Sequence, residues 1–218
     1  MTPKVSIIVP CYNSEKWIEQ CVVSALTQDY DNIEVICIDN ESTDNSMAVV
    51  EEIKRNYPEL ITGSAPNIYP HCWDEARSAG LEMMTGDYVL TMAFQSPVKG
   101  MREDQQVYTG EIKHIYQSLD EFKRVSLARC PVNTPTVIFN RKLYDNNLLK
   151  TKPDIYGGAA DYDLYCRLAD NNIFIYPAPT WLGFYYRWHP DQATWQVHKE
   201  AKDYDKMIQS HWKDKWKI

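Results

Sequence analysis

Apolar, β-branched runs that stop abruptly at polar turn formers organise the first half of the chain. The run from Val5 to Cys11 gives way to Tyr12, Asn13 and Ser14, and the run from Val35 to Ile38 gives way to Asp39, Asn40, Glu41 and Ser42. Runs of this kind predict strands buried on both faces of a parallel sheet. Between them Ile18, Cys21, Val22, Ala25 and Leu26 recur at helical spacing, behind a cap expected at Asn13 or Ser14. The product is a βαβ unit whose strand ends deliver Tyr12, Asn13 and Asp39 to one edge of the sheet. Ligands of open α/β sheets bind at that carboxyl edge. An aromatic face beside a carboxylate suits a nucleobase, the ring stacking and the carboxylate accepting from base N–H groups.

The alternation of patterns continues along the chain. A helix is expected from Asp44 to about Asn56, with Met47, Val50 and Ile53 inward and Pro58 ending it. An extended piece at 60–62, a loop at 63–70, a helix at 73–84 and a strand at 86–92 follow. Residues 97–130 show no clear period. A loop and strand are expected at 130–139, a short helix at 140–149, and a Gly157-Gly158 turn opening a helix that carries Leu164 and Leu168. Strands at 173–176 and 181–186 and a helix at 198–218 complete the reading. No repeat or low-complexity linker interrupts it. One domain is expected over 1–218, ending in a C-terminal helix (198–218).

Composition narrows the classes. A formal charge of −7 argues against nucleic acid as a partner, since phosphate backbones need a basic face. The 15 tyrosines and 7 tryptophans are plentiful, as in many carbohydrate-handling proteins, although core filling accounts for most of them. The 6 cysteines form no CxxC pair and no zinc spacing, and three sit inside apolar patterns as small hydrophobes. That usage suits a reducing compartment. With no signal-peptide pattern at the start and no run of roughly 20 apolar residues, a cytoplasmic protein is expected.

The strand-end segments resemble the opening motifs of the family 2 glycosyltransferases, inverting enzymes of the fold called GT-A. Members begin with VSIIVPxYN, continue with a helix and reach xVDDGSTD. The first motif is intact from Val5 to Asn13, and the second survives from Asp39 to Asp44 with Asn40 and Glu41 in place of the usual Asp-Gly. The family's ARNxG segment has its counterpart in Ala76, Arg77, Ser78, Ala79 and Gly80, and its GxY in Gly86 and Tyr88. The resemblance implies an α/β fold with a mostly parallel twisted sheet flanked by helices, its nucleotide-binding half over 1–96 and its acceptor and catalytic half over 97–197. It also implies a donor site formed by Pro10, Tyr12, Asn13, Asp39 and Arg77, together with Ala93 and Gln95. A different doubly wound nucleotide-binding domain and a nucleotidyltransferase are weaker competitors; the latter's Gly-rich basic phosphate loop is missing from the first strand end.

Ala93, Phe94 and Gln95 occupy the register of the family's Asp-x-Asp motif, which normally holds Mg²⁺ or Mn²⁺ on the diphosphate. A methyl and a phenyl group cannot ligate a hard cation, and a Gln amide is a weaker, uncharged donor. Three readings stay open, in this order: transfer without metal, with cationic side chains taking the charge; a metal held elsewhere, with Asp161 and His189 first among the ligands; or a catalytically inactive domain that binds nucleotide sugar.

The segment from Gly157 to Leu168 resembles the family's GxxEDxxLxxRL landmark, with Ala160 for the Glu and Asp161 for the Asp. The resemblance makes Asp161 the general base that takes the acceptor hydroxyl proton; the competing role is a helix N-cap. Asp163 lies about 200° further round the helix, so the two do not serve together. Tyr186, Arg187 and His189 resemble a YRxH segment that folds over the diphosphate, implying charge-assisted contacts from Arg187 and His189. The implied reaction moves a sugar from a nucleoside-diphosphate sugar, a UDP-sugar by family frequency, to a glycan, lipid-linked or protein hydroxyl with inversion. The C-terminal helix carries Met207, Ile208, Trp212 and Trp216 among lysines. It either packs on the domain, the preferred reading, or rests on a membrane surface.

Overall fold

The two apolar runs form adjacent strands of the sheet, β1 (Val5–Cys11) and β2 (Ile33–Asp39), parallel and in register from Val5 opposite Ile33 to Cys11 opposite Asp39. In this computed structural model, which describes residues 2–69, 72–91, 116–178 and 202–218, β3 (Ile61–Ser64) runs parallel beside β2. On the other side β4 (Tyr88–Thr91) runs parallel to β1, and β5 (Ile138–Asn140) closes the edge antiparallel to β4. The order is β3-β2-β1-β4-β5. Parallel neighbours need crossovers, and α1 (Ile18–Leu26), α2 (Ser46–Asn56) and α3 (Asp74–Met83) supply them.

Period-2 alternation sends successive β1 side chains to opposite faces. Ile7, Val9 and Cys11 pack with Ile18, Cys21 and Val22 of α1 and Val50 and Ile53 of α2. Ile8 faces the other way, with Ile36, Ile38, Ala76, Leu81, Phe139, Leu164 and Leu168. α3 lies tight on that face, because a Cβ on Gly80 would come within 2.5 Å of Ile8 Cγ2. The remaining described helices are α4 (Leu119–Ser126), α5 (Arg141–Asp145), α6 (Pro153–Tyr156), α7 (Ala160–Asp170) and α8 (Tyr204–Trp216).

Several boundaries differ from the sequence expectation. α1 starts at Ile18, behind Trp17 and without a side-chain cap; Ser14 contributes only its carbonyl, to Trp17 N and Ile18 N. The Ser14 hydroxyl turns back to Tyr12 O (2.7 Å) and Asn13 Oδ1 reaches Thr43 N (2.7 Å), so both side chains are engaged elsewhere. Residues 173–176 are irregular rather than a strand, with Ile173, Phe174 and Ile175 half-buried against the core. Burial alone satisfies an apolar run, whereas a strand also needs a free ladder edge. The expected helix at 140–149 shortens to α5, which ends ahead of left-handed Asn147 (φ 58°). α4 emerges from the stretch that showed no period. Its signal was Ser118 with Glu121: Ser118 Oγ accepts from Glu121 N (3.1 Å) and Glu121 Oε2 accepts from Gln117 N (2.7 Å), close to a capping box. The strand expected at 181–186 lies outside the described residues.

α8 docks on α7. Trp212 Nε1 donates to Asp163 Oδ1 (3.0 Å), Trp216 Nε1 donates to Asp170 Oδ1 (3.1 Å), and Lys215 pairs with Asp170 (2.7 Å). Trp212 is buried with Tyr156, Tyr162, Cys166 and Ile208. The aromatic face that a membrane-surface helix would present is therefore used for packing. Among the described residues no helix is long and apolar enough to cross a membrane.

At the amino end of the sheet a buried carboxylate ties three segments together. Glu34 accepts from Ser6 Oγ (2.5 Å), Thr85 N (2.6 Å), Thr85 Oγ1 (2.6 Å) and Gly86 N (3.2 Å), and it pairs with Lys4 (2.6 Å). Burial pushes its proton affinity up, but Lys4, Ser6 and Thr85 outweigh that and hold the carboxyl at about 2, below the ordinary 4.5. A depressed carboxylate stabilises the fold above its unfolded value and loses that contribution as pH falls toward the folded value. The loss amounts to about 3 kcal/mol at 1.36 kcal/mol per unit, between about pH 5 and pH 2. Urea unfolding at stepped pH should show Glu34→Gln with lower stability at neutral pH and a flatter decline into acid. Parallel declines for the two proteins would sink this assignment.

Candidate functional site

Register places the ends of β1 and β2 side by side, and two loops there clasp each other through backbone and short polar side chains. Asn13 N donates to Ser42 Oγ (3.0 Å), Ser14 N to Ser46 Oγ (2.6 Å) and Glu15 N to Asp44 Oδ2 (3.0 Å). In return Asn13 Oδ1 accepts from Thr43 N, and Glu15 Oε2 accepts from Asn45 N (3.0 Å). The clasp forces Asn13 into the left-handed region (φ 46°), which asparagine tolerates better than most residues. It leaves Tyr12 41% exposed at the sheet edge, where β1 ends beside the Asp39 end of β2. Asp39 is half-buried, oriented by Ser42 N on its Oδ1 (3.1 Å). Pro10 is buried in β1 opposite Ile38, one residue short of the strand end.

Asn40 and Glu41, which stand where Asp-Gly was expected, have definite work. Asn40 is buried; its Nδ2 donates to Pro66 O (2.8 Å) and Ala65 O (3.4 Å), strapping that segment against the edge. Glu41 takes the left-handed conformation that glycine would hold freely (φ 62°), at a cost of about 1–2 kcal/mol. Its Oε2 accepts from Asn67 N (3.2 Å), so the same strained residue pins the far side of the segment.

Arg77 stands on α3, buried. Its Nη1 donates to Leu149 O (3.0 Å) and lies 4.0 Å from Asp74 Oδ1, while Nη2 has no partner among the described residues. Burial pulls its proton affinity down, opposed by Asp74, Tyr165 and Asp161. A guanidinium remains charged in proteins regardless, so Arg77 is a buried cation with one donor group open.

Asp161 is the second residue of α7, reached through a turn at left-handed Gly157 (φ 50°), where a Cβ would stand 2.9 Å from the Tyr204 ring. The helix cap position is Ala159, without a side-chain cap, so the competing N-cap role for Asp161 does not hold. Its Oδ2 accepts from Thr134 Oγ1 (2.5 Å) and its Oδ1 from Tyr162 N (2.8 Å). It keeps partial solvent access. Burial pushes its carboxyl above the ordinary aspartate value, opposed by Thr134, Tyr162 and Arg77. A carboxylate has about four acceptor positions, so two bonds leave it able to accept from a third group. Raised proton affinity with open acceptor capacity is what proton abstraction near neutral pH requires.

Asp163, two residues on, is occupied in full view of the core. It is buried, accepts from Arg167 Nε (2.8 Å) and holds Trp212 Nε1. The Arg167 pair was readable from its i,i+4 spacing; the Trp212 partner was not, and neither was Thr134, which no motif marks. Ala93, Phe94, Gln95, Arg187 and His189 lie outside the described residues. By the chemistry of their donor groups, residues 93–95 do not fit a hard divalent cation. Among the described residues no group of three or more His, Cys, Asp or Glu side chains gathers as a metal site.

Residues 6–93 match the family model for glycosyl transferase family 2. An uncharacterized glycosyltransferase of Haemophilus influenzae is 40% identical over 88 residues, 40% of this chain and 34% of that protein. The poly(ribitol-phosphate) beta-glucosyltransferase of Bacillus spizizenii is 37% identical over 60 residues, 27% of this chain and 10% of that protein. These matches span about a third or less of the curated relatives' length. In three dimensions, S. aureus TarS 1-349 in complex with UDP-GlcNAc superposes with a TM-score of 0.63 at 20% identity, covering 88% of this chain and 60% of that one. A mannosyltransferase from Pyrobaculum calidifontis, in complex with GDP-Man and Mn²⁺, gives 0.55 at 17% identity, covering 96% and 69%. At such identities the likeness is one of architecture. Residues 6–93 thus carry the sequence pattern of glycosyl transferase family 2, and the architecture over most of the chain is the GT-A fold.

Proposed function

We propose that this protein transfers a sugar from a nucleoside-diphosphate sugar to an acceptor hydroxyl with inversion at the anomeric carbon, and that Asp161 is the general base. One observation carries the reading: a half-buried carboxylate of raised proton affinity at the start of α7, steadied by Thr134 and with acceptor capacity to spare. In this mechanism the acceptor O–H donates to Asp161, and its oxygen attacks C1 on the face opposite the leaving group. The bond from C1 to the β-phosphate oxygen breaks and the nucleoside diphosphate departs. Tyr12 stacks on the base and Asp39 accepts from it, with Pro10, Asn13, Ala93 and Gln95 shaping the donor site in the 1–96 half. Arg77, Arg187 and His189 offset diphosphate charge. UDP-sugar is the favoured donor, supported by the UDP-GlcNAc complex of the TarS neighbour. The acceptor is a glycan, lipid-linked or protein hydroxyl.

A second reading, a domain that binds nucleotide sugar without turning it over, is favoured by one observation: Ala93 and Phe94 carry no metal-ligating oxygen. Calorimetric titration with UDP-, GDP- and dTDP-sugars, in EDTA and then in Mn²⁺, separates the two when followed by nucleotide release in the presence of acceptors. Binding with release supports transfer, binding without release supports the second reading, and no binding overturns both. In the same titration Tyr12→Ala should weaken the bound nucleotide about tenfold or more, since one base-stacking ring is worth roughly 1–3 kcal/mol. An unchanged Kd would remove Tyr12 from the site.

A further inference from the structure

The bond from Thr134 to Asp161 links two parts of the molecule far apart in sequence. Thr134 opens the one-turn 3-10 helix Thr134–Thr136, with Pro135 in its first turn. That turn is closed by Thr136 N on Asn133 O (2.9 Å) and Val137 N on Thr134 O (3.1 Å). It leads directly into β5, whose Ile138 pairs with Leu90 of β4. Proline restricts the backbone and the ladder sets the position, so the Thr134 hydroxyl is presented from a rigid support. Its partner is not rigid by itself: an aspartate near a helix start has rotamers to choose from. The bond to Oδ2 selects one, while Tyr162 N holds Oδ1.

We propose that Thr134 is a positioning residue, which locks the Asp161 carboxylate in the orientation that receives the acceptor proton. The inference rests on Asp161 as the base. It makes the edge of the sheet, at β4 and β5, the reference against which the base is aligned. Misplacing a reacting group by about 1 Å costs on the order of 100-fold, and loss of one outer hydrogen bond on a functional ligand costs about 10–100-fold. A hydroxyl-to-methyl exchange at half-buried Thr134 keeps the shape and removes the hydroxyl that donates to Asp161.

The test compares wild type, Thr134→Val, Thr134→Ala, Thr134→Ser, Asp161→Asn and the Asp161→Asn/Thr134→Val double variant. Nucleotide release to water is followed from UDP-glucose, UDP-N-acetylglucosamine and GDP-mannose, with thermal melting run alongside. Thr134→Val and Thr134→Ala should lower kcat about 10–100-fold with donor KM within about twofold. Thr134→Ser should recover to within about threefold, and Thr134→Val should cost nothing further in the Asp161→Asn background. If Asp161→Asn is inactive while Thr134→Val and Thr134→Ala both keep half or more of the wild-type kcat, the base stands and the positioning role falls. If Asp161→Asn keeps its activity, or wild type releases nucleotide from none of the three donors, the catalytic reading of Asp161 falls and takes Thr134 with it.

Discussion

Exchange of Asp161 for asparagine should lower sugar transfer by about 100- to 10,000-fold, the range a positioned general base contributes, while nucleotide binding and the melting transition hardly move. The amide is nearly isosteric: its oxygen can still accept from Tyr162 N and its NH2 can donate to the Thr134 hydroxyl, so the fold keeps its contacts. What it lacks is a proton affinity that can take the acceptor's hydrogen. Stability should not fall, because burial opposes the charged form and the substitution removes that charge. The same shift sets the wild-type pH profile. A base works only when deprotonated, so activity declines as pH falls through the folded value. Since burial raises that value, the acid limb of kcat should lie above the ordinary aspartate position of 3.8. Near-full transfer by Asp161→Asn, measured as nucleotide release with acceptor, would remove the base from this site.

Asp163→Ala should do the reverse, costing about 3–5 kcal/mol of stability and releasing α8 from the domain. Asp163 is 1% exposed and serves two donors, Arg167 Nε at 2.8 Å and Trp212 Nε1 at 3.0 Å. Without it Arg167 loses its carboxylate partner and keeps, among the described residues, Lys150 O, and the indole N–H of a nearly buried Trp212 is stranded. Asp163→Asn is predicted to lie between, since one acceptor oxygen survives for Trp212 while the charge opposite Arg167 does not. Urea unfolding gives the magnitude, and limited proteolysis reports α8, because a released helix is cut first. A loss below about 1 kcal/mol in Asp163→Ala, with the C-terminal segment still resistant, would show that the apolar contacts around Trp212 hold the helix without this carboxylate. In the proposed mechanism two aspartates separated by one residue thus take opposite roles, one in turnover and one in folding.

Most of the first half of the fold was legible in the chain itself, for reasons that are local. Strands buried on both faces must be continuously apolar, and parallel neighbours must be joined by helices, so the pattern from Val5 to Met83 implied the β1-α1-β2-α2-β3-α3 succession. The same patterns marked where strands end, and hence that Tyr12 and Asp39 share an edge. The Gly157 turn and the helix carrying Asp161 were legible because a left-handed residue and an i,i+4 leucine pair leave traces in composition. Irregular segments left none: 173–176 read as a strand because an apolar run shows only that it is buried and cannot show whether a ladder partner is within reach.

What the chain alone could not decide was which side chains meet across it. Asn13, expected as a cap, is half of a loop clasp through Thr43. Arg77 is buried against Leu149 O, 72 residues away, and Asp163 holds Trp212, 49 residues away. Thr134 carries no motif and reaches Asp161 only because β5 pairs with β4. Periodicity along a sequence encodes which face of an element is apolar. The partner of a buried polar atom depends on how those faces are brought together, and that was settled only when the sheet and helices packed.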